Sequence, residues 1–163
     1  IVARAWKMMT QDTKAIEGLE DQKVEHPENL AIWEGMKHWP GGFIQSIETR
    51  ANTEHRAGKG VVWLTTPLAM IEKRQSTDFV ALMGLVDTAN GIVPRQKPTD
   101  GWAFPNLDLQ INLHRLNQGK WLGIDAIQQF GTDGIGMTSS ILHDVHGPFG
   151  RSEQILTLRK LAI

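Results

Sequence analysis

The sequence predicts an α+β fold in which an antiparallel sheet of about six strands wraps around one long apolar helix. Short glycine-containing connections separate most of the strand-like segments, and connections of this length join antiparallel rather than parallel strands. The predicted helix, at about residues 77–90, is apolar on almost every face, so it must be covered on all sides. A curved sheet with one face to bury would provide that cover.

The first two strands are predicted at residues 43–53 and 61–66. Both segments are rich in β-branched and aromatic residues, and a flexible turn at 56–60 joins them. Pro67 ends the second strand, because proline has no N–H to donate to a neighbouring strand.

The helix has recognisable start and stop signals. Ser76-Thr77-Asp78 offers hydroxyl N-caps followed by an acidic residue in the first turn, where the helix dipole favours it. Asn90-Gly91 is a typical C-terminal stop. Asp87 is the one ionisable residue after the first turn.

The remaining strands follow in quick succession after the helix. Residues 107–114 alternate apolar and polar side chains without a fault, which is typical of a half-buried strand. Further strands are predicted at 121–130, 135–143 and 153–161, with turns at Gln118-Gly119 and Asp133-Gly134 and a loop at 147–150.

The chain has 163 residues, the length of one ordinary domain. We expect residues 39–163 to form that domain and residues 1–38 to be an N-terminal segment. Within that segment, Ile1–Met8 resembles the closing strand of a preceding unit, and the rest is expected to be a linker.

The composition excludes several classes of function. Lys+Arg is 17 and Asp+Glu is 18, so nothing suggests a nucleic-acid partner. The absence of cysteine excludes a disulfide scaffold, a thiolate metal site and a cysteine nucleophile. It also fits a reducing compartment, so a cytoplasmic location is expected. No apolar run reaches the length of a membrane span.

Two groups of residues are candidates for chemistry. Asp87 is a carboxylate in an apolar helix, where burial is costly unless it is hydrogen-bonded or functional, and it would suit a general base. The alternative is a solvent-exposed residue or a cap near the helix end. His114, His143 and His146 could suggest a metal, but strand-end histidines spaced i, i+3 rarely point to one site. No metal or cofactor is expected.

Several segments share their order and spacing with a known family, although no single one is diagnostic. They are residues 42–50, 85–91, 102–109, 114–115, 119–122, 133–136, 143–144 and 147–154. Together they resemble the C-terminal half of a double-hotdog acyl-CoA thioesterase, in the thioesterase II-like branch of the thioesterase-like superfamily. A hotdog is a helix wrapped by an antiparallel sheet.

The resemblance implies a function and a set of site residues. In that family an Asp on the helix, a polar residue opening the next strand and a Gln on the last strand activate a water that attacks the thioester carbonyl. The matching positions here are Asp87, Asn106 and Gln154. Asn106 departs from the family, which often has a hydroxyl there. The implied activity is hydrolysis of a fatty-acyl or related acyl-CoA to the free acid and CoA.

Two other functions stay open at this stage. One is a non-catalytic hotdog that binds acyl or polyketide groups, with the polar trio structural. The other is a hotdog dehydratase or isomerase, which would need a His/acid pair. His114 is the strand histidine near the motif, and alternation places it with Asp108 and Asn112, away from the helix.

The resemblance also implies a partner for the hotdog. Family members usually carry two hotdogs in one chain, and residues 1–38 are too few to form one. We therefore expect a homodimer, or a second chain that carries the other hotdog, with the acyl-CoA groove near the interface.

Overall fold

The computed structural model describes residues 1–161, and its main feature is a large antiparallel sheet packed on a broken helix. The strands are β1 (Ala31–Ile32), β2 (Glu48–Ala51), β3 (Lys59–Thr65), β4 (Trp102–Ala103), β5 (Gln110–Leu113), β6 (Leu122–Phe130), β7 (Ile135–Asp144), β8 (Gly147–Thr157) and β9 (Arg159–Lys160). Seven form one sheet in the order β1-β2-β3-β6-β7-β8-β5, and β4 pairs with β9 in a separate ribbon. Every pairing is antiparallel, which confirms the predicted fold class.

The helical part is less regular than predicted. The α-helices are α1 (Gly42–Gln45), α2 (Asp78–Met83) and α3 (Ala89–Ile92), with a 3-10 turn at Val86–Thr88 and further single turns at Lys14–Ile16, Pro27–Asn29, Gly35–His38 and Pro98–Asp100. No helix among residues 1–161 has the length and apolar character needed to cross a membrane.

The predicted single helix at 77–90 is therefore a broken one. It begins as expected, since the Thr77 hydroxyl accepts a hydrogen bond from the Val80 N–H at 3.3 Å. It breaks at Gly84, a poor helix former, where Met70 packs so closely that an added Cβ would lie 2.5 Å from its sulfur. Phe79 and Val80 are exposed, so the first turns are not covered as predicted.

The core lies between this helical segment and the inner face of the sheet. Leu82, Leu85, Val86, Ala89 and Ile92 of the segment are fully buried. The sheet residues that pack around them include Val62, Leu64, Leu122, Ile124, Ala126, Leu142 and Phe149. The helical segment is therefore the central one, as predicted, although it is short and interrupted.

Several predicted strand limits were wrong. Residues 42–45 form α1 rather than the start of a strand. In the 107–114 segment the regular strand is β5 alone. At Asp108 the side-chain carboxylate, rather than a main-chain carbonyl, accepts from the Ile155 N–H at 3.0 Å. The predicted loop at 147–150 belongs to β8. The predicted strand at 153–161 is divided between the end of β8 and β9.

Part of the N-terminal segment packs on the outer face of the sheet. The Trp63 indole N–H donates to the Glu25 carbonyl oxygen at 2.8 Å, and Arg151 forms an ion pair with Asp21 at 2.5 Å. Residues 1–13 contain no helix or strand and are exposed, so Ile1–Met8 is not a strand here. The boundary between residues 1–38 and 39–163 stays a prediction.

Candidate active site

The three residues selected from the sequence lie in direct contact. Asp87 is on the 3-10 turn, Asn106 lies just after β4, and Gln154 is on β8. The Asn106 Nδ2 and Gln154 Nε2 groups both donate to Asp87 Oδ1, at 2.8 and 2.9 Å. One carboxylate oxygen thus holds both amides, and no residue in the described part of the chain donates to the other oxygen, Oδ2.

The sheet positions the two amides. Gln154 is buried on the inner face of β8, and its Nε2 also donates to the Asp87 main-chain carbonyl at 3.3 Å. Asn106 forms an isolated bridge with Leu156 on the same strand, and its Nδ2 also contacts the Asp108 carbonyl at 3.3 Å. A single strand therefore sets the positions of both partners of Asp87.

Asp87 itself is exposed. Its neighbours Val86, Thr88 and Ala89 are buried, so the turn presents the carboxylate outward while anchoring the backbone in the core. The sequence left open whether the Asp87 side chain is buried or exposed, and the structure shows that it is exposed. The amide hydrogen bonds, rather than an apolar environment, fix its orientation.

The end of the helical segment that follows Asp87 is held by hydrogen bonds from other parts of the chain. The main-chain carbonyls of residues 90–93 each have a hydrogen-bond partner outside the helix, and Pro94 follows with no N–H to offer. The partners, in order, are the side chains of Gln128, Trp39 and His55 and the Gly58 N–H. This end of the segment is thus fastened to three other elements.

Gln128 supports the helical segment beside this site, and sequence reasoning missed it. It is fully buried on β6, its Nε2 donates to the Asn90 carbonyl at 2.8 Å, and its Oε1 accepts from the Arg95 N–H at 3.0 Å. Gln128 pairs with Thr138, and Thr138 pairs with Gln154. The available signal was an amide on the otherwise apolar inward face of β6, which also carries Leu122, Ile124 and Ala126.

A cavity of about 500 Å³ opens beside Asp87. Aromatic residues Trp39, Phe43, Trp102 and Phe104 contribute to its wall. This volume lies in the range of small-molecule binding sites. The arrangement places a hydrogen-bonded carboxylate at the edge of a largely apolar space.

The predicted histidines do not join this site. The His114 ring contacts the Pro148 carbonyl oxygen at 3.2 Å, and His146 is exposed. His143 is buried, and burial lowers its pKa from 6.5 to about 4, against the opposing effects of Asp21 and Asp144. Within residues 1–161, no cluster of three or more His, Cys, Asp or Glu is arranged to hold a metal.

A second buried network lies near His143. Arg115 makes a two-point ion pair with Asp144, at 2.5 and 2.8 Å. Burial alone would raise the pKa of Asp144, but hydrogen bonds from Arg115 and from the Gln118 and His146 N–H groups lower it below its usual value. The network joins the loop after β5 to the β7–β8 hairpin. The role of the network is therefore structural.

The sheet and its central helical segment define a hotdog fold. Residues 23–158 match the model of a family described as the acyl-CoA thioesterase C-terminal domain. This chain belongs to that family, as the sequence resemblance predicted. The comparison with curated proteins gave no match.

Solved structures show the same fold at low sequence identity. A hotdog protein from Alicyclobacillus acidocaldarius is 12% identical with a TM-score of 0.62, and the match covers 99% of this chain and 60% of that one. An acyl-CoA thioesterase II from Mycobacterium marinum is 16% identical with a TM-score of 0.58, covering 90% of this chain and 59% of that one.

A thioesterase from Haemophilus influenzae is 16% identical with a TM-score of 0.53, and the match covers 89% of this chain and 98% of that one. The chain thus spans about three-fifths of the length of the Alicyclobacillus and Mycobacterium proteins.

Proposed function

We propose that this chain hydrolyses an acyl-CoA thioester to the free acid and CoA, with Asp87, Asn106 and Gln154 as its site. The observation that carries the proposal is the contact of both amides with Asp87 Oδ1 at the edge of the cavity. Family membership supports the same activity. Two amides from separate parts of the chain converge on one carboxylate oxygen of Asp87 and leave the other available.

In the proposed reaction, Asp87 acts as a general base. Its Oδ2 takes a proton from a water molecule as the water oxygen attacks the thioester carbonyl carbon. The tetrahedral intermediate then collapses, the C–S bond breaks, and the proton passes from the carboxyl group to the leaving CoA sulfur. The products are the carboxylic acid and CoA, and Asp87 returns to its carboxylate form.

Asn106 and Gln154 have a more limited role than the resemblance implies. Their Nδ2 and Nε2 groups donate to Asp87 and to nearby main-chain carbonyls. With these donors occupied, the two amides orient the carboxylate, which fixes the direction of Oδ2 toward an attacking water.

The alternatives have weaker support. A non-catalytic acyl-binding protein would need only the cavity, and the contacts of the polar trio would then be structural. A dehydratase or isomerase would need a histidine in the cavity, whereas His114 is exposed and bonded to the Pro148 carbonyl.

The assembly and location that accompany this function are also proposals. Phe79 and Val80 on α2 are exposed apolar residues that a second hotdog would cover. We propose a homodimer, or association with a chain that carries the other hotdog, and a cytoplasmic location. Sedimentation across a dilution series tests the assembly, and a fully active monomer at micromolar concentration would contradict it.

Turnover of a panel of acyl-CoA thioesters, measured as released thiol, tests the activity. Asp87→Asn should reduce the rate by roughly 10²–10⁴, the usual contribution of general acid–base catalysis. Asp133→Asn is the matched control, because Asp133 is an exposed turn residue and Asn-Gly is an equally good turn. Equal rates in folded Asp87→Asn and the parent chain would exclude this mechanism.

A further inference from the structure

Four aromatic rings line the cavity beside Asp87. Trp39 and Phe43 come from one part of the chain and Trp102 and Phe104 from another, and all four line one space. Phe104 and Trp39 meet edge to face, with ring centroids 5.8 Å apart and planes at 84°. The Trp39 N–H donates to the Gly91 carbonyl at 3.2 Å. Two of the four rings are therefore held in place by contacts of their own.

The other two rings are accessible. Phe43 on α1 is 47% exposed, and Trp102 on β4 is 41% exposed. Exposed apolar surface on a cavity wall favours an apolar ligand, because binding removes that surface from water. Asp87 lines the same cavity, so an acyl group bound among the rings would have its carbonyl near the carboxylate.

We infer that the acyl group carries an aromatic ring, so that the substrate class is an aryl-substituted acyl-CoA such as phenylacetyl-CoA. The inference rests on the proposed function, because the acyl group is that of the thioester under attack. Aromatic pairs gain stability beyond the area they bury when they meet edge to face or offset. One such pair raises affinity by a factor of about two to ten. A linear acyl chain of equal size has no ring and does not gain this contribution.

The test compares phenylacetyl-CoA with octanoyl-CoA, whose acyl groups have the same number of carbons. The expected result is a kcat/KM about tenfold higher for phenylacetyl-CoA, the upper end for one aromatic pair. Cyclohexylacetyl-CoA is a third substrate, which has a ring without aromatic character. It should be hydrolysed less efficiently than phenylacetyl-CoA, and equal efficiency would overturn the aromatic assignment.

Substitutions in the cavity wall test whether its aromatic rings cause the preference for phenylacetyl-CoA over octanoyl-CoA. Phe43→Leu and Trp102→Leu keep an apolar side chain but remove a ring, so each should lower the phenylacetyl/octanoyl ratio toward one. Trp6→Leu is the matched control for Trp102→Leu, since Trp6 is 97% exposed and outside the cavity wall. An unchanged ratio in both folded cavity variants would overturn the inference.

The outcomes separate this inference from the proposed function. Asp87-dependent hydrolysis with octanoyl-CoA preferred would overturn the aryl assignment and leave the thioesterase proposal intact. Absence of Asp87-dependent hydrolysis for every thioester would overturn the thioesterase proposal. Quenching of tryptophan fluorescence by phenylacetate and octanoate would then test the cavity alone, and tighter octanoate binding would overturn the aryl assignment.

Discussion

The Gln154 side-chain N–H group donates to two oxygens of Asp87, to Oδ1 at 2.9 Å and to the main-chain carbonyl at 3.3 Å. Gln154 therefore fixes both the carboxylate and the turn that carries it. Because Gln154 is buried on a central part of β8, the position of Asp87 is set by the sheet.

Replacement of Gln154 by methionine should reduce turnover strongly. Methionine is similar in size but has no donor, so Asp87 would lose two hydrogen bonds. We expect kcat to fall by roughly 10², the cost of misplacing a catalytic group by about 1 Å. Steady-state kinetics measures this, with Gln129→Met as control, because Gln129 is exposed on β6. A change of less than threefold would show that Asp87 does not need this partner.

Two substitutions of Asn106 should reduce activity to very different extents. Asn106→Asp replaces a donor 2.8 Å from Asp87 by a second carboxylate, and like charges at that distance repel. We expect a loss as large as that of Asp87→Asn. Asn106→Thr keeps a donor of the kind the family often has, and should retain activity within about tenfold of the parent chain. Similar rates for the two variants would contradict this role.

Gln128→Met should destabilise the helix end. The Asn90 carbonyl would lose its partner, and a buried unsatisfied group costs about 1–3 kcal/mol. For a chain of this size each 1 kcal/mol corresponds to about 2–4 °C in Tm. Thermal unfolding measures the loss, again beside Gln129→Met. A folded variant with unchanged Tm would mean that the carbonyl finds another donor.

Leu82→Ala tests the central position of the helical segment. Leu82 is fully buried, and truncation of a buried leucine costs about 2–5 kcal/mol. Denaturant unfolding should show this loss, whereas Leu116→Ala, the same truncation at an exposed position, should change stability by less than about 1 kcal/mol. Equal effects of the two substitutions would place the segment at the surface.

His143 should make the protein sensitive to acid. Burial lowers its pKa from 6.5 to about 4, so the folded state favours the neutral ring. This depressed pKa means that stability is fully present above pH 6.5 and is lost as the pH falls toward 4. The shift corresponds to about 3 kcal/mol.

Unfolding free energies of the parent chain and His143→Leu, measured between pH 7 and pH 4, check this expectation. The variant should lose less stability over the interval, because it has no ring to protonate. Parallel pH dependence in the two proteins would show that His143 does not titrate with folding. His114→Leu is the control, since that ring is exposed.

The strand limits could be predicted from the sequence where the alternation of apolar and polar residues ended at a clear turn signal. The β6–β7 hairpin matches its prediction within one residue at each limit, because Asp133-Gly134 fixes the turn and Gly134 adopts a positive φ of 80°. The two-residue strands β1 and β4 were missed, because two residues are too few to show the alternation of apolar and polar side chains. The long helix was predicted from composition, which could not reveal the break at Gly84, where Met70 packs against the backbone.

For the candidate site, the resemblance to a known family supplied the identities of Asp87, Asn106 and Gln154, and the sequence could not supply their contact. That contact depends on the β7–β8 pairing and on the isolated bridge between Asn106 and Leu156. The role of Gln128 was likewise decided only by the tertiary structure. A buried amide needs a partner, and the Asn90 carbonyl is far away in sequence but adjacent in space, because the apolar segment packs against the sheet there.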